Sequence, residues 1–205
     1  MKKESFEILL KEYENLFQDW KRIREEGSNR MKLLLSVTVF VLSGLGLLFQ
    51  FRNNNSQINA MFFIAGFGLL MIVSIQTLQF MINRNISSDL YLRAMSRIRR
   101  CFIDNDNDLS KYFTWQGNDS PTSFLDFSNL GLIDQSLVFL SIFISCFLSA
   151  ITNLCFQDLF KSILFFLFVL PVTYFILYIS IKKKFKRARE KAKDEIRFDL
   201  IQEDV

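Results

Sequence analysis

The sequence predicts an all-α membrane protein: four transmembrane helices in two hairpins, plus three cytoplasmic amphipathic helices. Three observations predict it. The 46 charged side chains (25 Lys and Arg, 21 Asp and Glu) are absent from four long windows, Leu33–Phe51, Ile58–Ile82, Gln135–Gln157 and Ser162–Ile181. A helix rises 1.5 Å per residue, so about 20 such residues cross a bilayer core of about 30 Å. The basic residues are also one-sided: 8 fall in 1–32, 6 in 84–132 and 9 in 182–205, against only Arg52 and Lys161 in the short connections. Positive segments stay in the cytoplasm, so both termini and the middle segment are expected there, in a cell inner (plasma) membrane. Finally, the three basic segments carry apolar residues at helical spacing.

Residues 1–32 are expected to form an N-terminal helix. Phe6, Leu9, Tyr13, Leu16, Trp20 and Ile23 step by three and four alternately, an apolar stripe that must be covered. Packing on the chain's own middle segment and packing on other copies in an oligomer are both open. Residues 33–83 make the first transmembrane hairpin. The first span places Ser36, Ser43 and Gln50 at heptad spacing, and the second ends on Gln76, Gln79 and Asn83.

Residues 84–132 follow as a cytoplasmic segment. From Ser88 to about Ile103 a second amphipathic helix carries Tyr91, Met95, Ile98 and Phe102 on one face and Arg93, Arg97 and Arg100 on the other. Ser87 or Ser88 is suited to cap its start. Three guanidiniums on one face suit an anionic nucleotide ligand or an acidic protein partner, or pairing with the chain's own carboxylates such as Glu7, Glu14, Asp194 and Glu195. The run Asp104–Asp108 resembles the start of a calcium loop, but Leu109 stands where the turn needs Gly and Trp115 where a bidentate Glu is needed. Beyond it, Gly117–Pro121 punctuates an aromatic stretch in which Phe113, Trp115 and Phe124–Phe127 suit the headgroup level.

Residues 133–181 form the second hairpin. Its first helix aligns Ser141, Ser145, Ser149 and Thr152. Small hydroxyl residues at this spacing serve close helix packing, or line a water-filled path where several copies assemble. Pro171 is expected to kink the fourth span without breaking it. Residues 182–205 continue as a basic cytoplasmic helix with Phe185, Ala188, Ala192, Ile196 and Leu200 down one side. Membrane proteins use runs such as Lys182–Arg187 to anchor topology, which disfavours nucleic-acid binding.

The composition excludes much chemistry. There is no His, which removes Ser-His and Cys-His sites and most zinc and haem ligation. Cys101, Cys146 and Cys155 form no paired spacing, and no Gly-rich phosphate loop is present. No catalytic residue, metal or cofactor is expected, and the chain is not read as an enzyme. No charge lies within a span, so a proton relay has nothing to run on.

The charged helix before the first span (Phe6–Ile23), the tight connections Arg52–Gln57 and Cys155–Lys161, the arginines Arg93, Arg97, Arg99 and Arg100 and the basic tail together resemble the small multi-span effectors and accessory proteins of bacterial antiviral systems linked to cyclic-nucleotide signalling or CRISPR loci. The resemblance is one of layout and carries no motif. It implies a homo-oligomeric inner-membrane effector that perturbs or permeabilises the bilayer when its cytoplasmic layer is triggered. The alternative is a non-conducting sensor or scaffold that recruits a soluble cytoplasmic partner to the lipid bilayer.

Overall fold

Apolar stretches without charge can satisfy their backbone in lipid only as helices or closed barrels. In the computed structural model the described residues of each of the four lie inside a longer helix: α1 (Lys3–Gln50), α2 (Ser56–Asn105), α3 (Leu132–Phe156) and α4 (Leu159–Asp194). A 3₁₀ turn, Ser123–Leu125, is capped by Thr122. The structure describes residues 3–50, 56–106, 111, 119–126, 131–156 and 159–196, and no strand occurs among them. All four helices are long and apolar enough to cross a membrane, which marks a multi-pass membrane protein.

The amphipathic segments are helical, but they are not separate helices. α2 runs from the second window through Ser87 and Ser88 to Asn105, so neither serine caps a start. The physical reason is local: no Gly or Pro occurs between Leu69 and Asn105, and nothing else interrupts the backbone ladder. α1 likewise continues past Gly27, where one glycine costs only about 1 kcal/mol. α4 passes Pro171 unbroken and extends into the basic tail. At 48 and 50 residues, α1 and α2 are about 72 and 75 Å long, more than twice a bilayer core.

The chain divides into two units. An apolar unit comprises Gly27–Ile82 and Gly131–Ile181; a polar unit comprises Met1–Glu26, Asn83–Leu130 and Lys182–Val205. Two of the boundaries, Ile82 and Ile181, coincide with the ends of charge-free windows.

In the apolar unit, small residues set the helix spacing. A methyl group at Gly66 would lie 3.1 Å from Leu45 Cδ1 and 3.3 Å from Val41 Cγ1, and one at Gly68 would lie 3.4 Å from Phe147. Such close approach is how helices gain contact where lipid removes the hydrophobic drive. Leu34, Leu70, Met81, Ile133 and Leu137 are fully enclosed, while Phe40, Phe168 and Phe175 are exposed, as lipid-facing side chains are.

In the polar unit, α1 and α2 meet in antiparallel register. The Phe6 ring packs tilted at 45° against Phe102 with centroids 5.0 Å apart, and the Tyr13 hydroxyl accepts from Arg99 Nη2 at 2.6 Å. Met95, Ile98, Phe102, Leu125, Phe185 and Ala192 form the core. These include three of the four residues on the predicted α2 stripe and two of those on the predicted tail stripe.

Candidate functional site

Helical spacing brings Asp89, Arg93, Arg97 and Arg100 down one side of α2, and two further chain segments close over them. The Arg93 side chain is 2% exposed. Its Nε donates to the Asp119 carbonyl at 2.9 Å, and its Nη1 lies 3.8 Å from Asp89 Oδ2 and 3.6 Å from Glu195 Oε2. Arg97 Nε donates to Asp119 Oδ2 at 2.8 Å and its Nη2 to the Glu195 carbonyl at 2.9 Å. Arg100 pairs with Asp104 at 2.8 Å. Asp119 is wholly buried, and Thr122 donates to Asp89 Oδ1 from its backbone N–H (2.7 Å) and from its hydroxyl (2.8 Å).

The three guanidiniums expected to present one anion- or partner-docking face are therefore each paired within the chain. Of the acidic partners that the sequence suggested, Glu195 takes part. Asp119, Asp89 and Asp104 supply the rest, and spacing along α2 points only to Asp89 and Asp104, each four residues from its arginine. Asp119 lies 26 residues beyond Arg93 and is brought back by the turn that Thr122 caps.

Burial is the largest influence on Asp89 and pushes its carboxyl above the ordinary 3.8; the Thr122 donors and Arg93 act the other way, and Glu195 adds to the rise. For a folded value raised above the unfolded one, the stabilising contribution is full below the unfolded value and is lost as pH rises through the folded one. The melting temperature of the wild type minus that of Asp89→Asn should therefore fall as pH is raised from about 3.8, then level off. A difference that grows with pH over that range contradicts the assignment.

The serine face lies in the apolar unit. Ser141 and Ser145 are buried, and their hydroxyls donate to Leu137 O and Ser141 O, both at 2.8 Å. Thr152 bonds Leu148 O within its own helix, whereas Ser149 crosses to Ser162 O at 2.6 Å and ties α3 to α4. Beside Ser149 a partly open groove of about 230 Å³ is lined largely by Phe63, Phe67, Ile163 and Phe166.

The N-terminal stripe is half-covered inside the polar unit. Leu9, Tyr13, Leu16, Trp20 and Ile23 are partly buried; Phe6, on Phe102, is more exposed, and Leu10 and Phe17 along the stripe's margin are also exposed. Of the calcium-like run, Asp104 is bound to Arg100 and 107–108 lie outside the described residues. Phe113, Trp115 and Phe127 lie outside them too, while the Phe124 ring carries the Arg24 guanidinium 4.9 Å from its centroid. Among the described residues no group of three or more His, Cys, Asp or Glu is placed to hold a metal.

Comparison with known proteins finds no matching family model, no matching curated protein and no matching solved structure.

Proposed function

We propose that the chain is a non-conducting membrane scaffold or sensor. Four spans form two hairpins, both termini are cytoplasmic, and the polar unit is a helical module that takes up a cytoplasmic component. The observation that carries this choice is the burial of Ser141 and Ser145 with their hydroxyls already bonded to their own helix. A face enclosed within one copy is not free to line a path among several. The polar unit in turn is braced by the Asp89–Arg93–Asp119–Arg97–Glu195 network, which links α2, the 119–122 turn and the end of α4. Such bracing suits a module that holds a shape, and the skew of 23 among 25 basic residues supports its cytoplasmic placement. The effector reading suggested by layout gains no support from the serine and arginine faces, because Ser141 and Ser145 are enclosed and Arg93, Arg97 and Arg100 are paired within the chain.

Thiol labelling tests both parts. In a background with Cys101, Cys146 and Cys155 replaced by Ala, a water-soluble maleimide should label Glu4→Cys and Lys183→Cys in inside-out vesicles only, and should leave Ser145→Cys unlabelled from either side. Labelling of Ser145→Cys in folded protein would return the pore.

A further inference from the structure

Two arginines of the polar unit are not answered by any carboxylate among the described residues. Arg84 is 8% exposed; its Nη2 donates to Asn85 Oδ1 at 3.2 Å, and its enclosed Nε has no acceptor. Arg24, on α1, has its guanidinium over the rings of Trp20 (5.4 Å) and Phe124 (4.9 Å). The two are close enough for Arg24 to disfavour the charge on Arg84, an effect second to burial itself. The antiparallel register fixed by Phe6–Phe102 and Tyr13–Arg99 accordingly brings Arg24 level with the turn of α2 from Arg84 to Ser88. Two more donors are enclosed there without an acceptor, the Trp20 indole Nε1 and the Ser88 hydroxyl. Lys184 adds a third cation through Asn83, whose Oδ1 accepts from its Nζ at 3.4 Å. The neighbouring acids are engaged elsewhere: Asp89 with Thr122 and Arg93, Asp126 with Arg189, Glu25 with Lys21.

A buried charge beside a half-buried like charge and unmet donors is unfavourable unless a counter-charge joins them. We propose that Arg24, Arg84, Trp20 and Ser88 form a binding site for an anionic phosphate group, with Lys184 adding charge at its edge. Guanidiniums bind phosphate oxygens through paired, charge-assisted hydrogen bonds, and the indole and hydroxyl supply the single donors such a group also takes. Arg84 stands two residues beyond Ile82, the last residue of its charge-free window on an unbroken helix, which is headgroup depth when α2 crosses a bilayer. A phospholipid headgroup and a soluble phosphate compound share this chemistry.

The test uses the full chain in micelles of dodecyl maltoside, which carries no phosphate, with either phosphatidylglycerol or inorganic pyrophosphate added and the melting temperature titrated. A rise with phosphatidylglycerol alone identifies a lipid headgroup, and a rise with pyrophosphate identifies a soluble phosphate; both support the site. Arg84→Gln and Arg24→Gln should each weaken that binding about tenfold, while Lys21→Gln, an exposed cation one turn from Arg24, should leave it unchanged. Arg24 makes no side-chain hydrogen bond among the described residues, so Arg24→Gln carries the test if Arg84→Gln does not fold. The site is overturned if neither addition shifts melting, if both arginine variants bind as the wild type does, or if Lys21→Gln weakens binding as much as they do.

Discussion

Asp89→Ala is expected to destabilise the polar unit by about 3–5 kcal/mol, because it removes one partner of a buried pair and leaves the other behind. Arg93 would keep its bond to the Asp119 carbonyl, but its one remaining carboxylate among the described residues would be Glu195, itself 44% exposed, and the Thr122 N–H and hydroxyl would lose their acceptor. The raised carboxyl of Asp89 means that the intact pair does little for net stability, since desolvation outweighs its hydrogen bonds and Arg93. The large loss comes from halving the pair. Asp89→Asn should cost less than Asp89→Ala, since an amide oxygen still accepts from Thr122. Asp89→Ala combined with Arg93→Met should cost less than the two single changes added together. Trp20 belongs to the polar unit, so denaturant titration followed by its fluorescence, in a Trp115→Phe background, reads this unit rather than the spans. A loss below about 1 kcal/mol for Asp89→Ala would mean that the cluster is not the brace described here.

How much of this was legible depended on whether the signal was local. The four spans were, because absence of charge over 19 or more residues is a property of one stretch and lipid leaves it few other structures. The inward stripes on α2 and α4 were legible for the same reason: Met95, Ile98 and Phe102, then Phe185 and Ala192, recur at helical spacing. The boundaries between amphipathic segments and spans were not, because a helix that changes neighbours need not change backbone, and residues such as Ser88 that can cap can also sit inside. The arginine face was legible as a face but not in its fate. Asp119 reaches Arg93 and Arg97 only through the turn at 119–122, and no periodicity in α2 encodes that return. The pair Arg24 and Arg84 was hidden differently. Each looks like an ordinary basic residue flanking a span, and only their meeting across α1 and α2, without a carboxylate, sets them apart.

Phe185→Ala is expected to cost about 3–5 kcal/mol, although the residue sits in the most basic run of the chain. Lys182, Lys183, Lys184, Lys186 and Arg187 around it are exposed, while Phe185 is 1% exposed in the core of the polar unit. The run therefore combines two roles with separable readouts. On the proposed topology its charges count toward the positive residues of the cytoplasmic side, so single changes such as Lys183→Gln should alter stability by less than about 0.5 kcal/mol. Its phenyl ring acts on folding through the volume it fills. Phe185→Leu should recover most of the loss, within about 1.5 kcal/mol of wild type, because it keeps an apolar side chain of similar bulk. Reading insertion orientation by thiol labelling alongside the melt separates the two roles: Phe185→Ala should keep the wild-type orientation while its polar unit melts early. If Phe185→Ala instead inserts with its tail outside, or melts as the wild type does, then the tail is held by its charges alone and the core assigned to it is wrong.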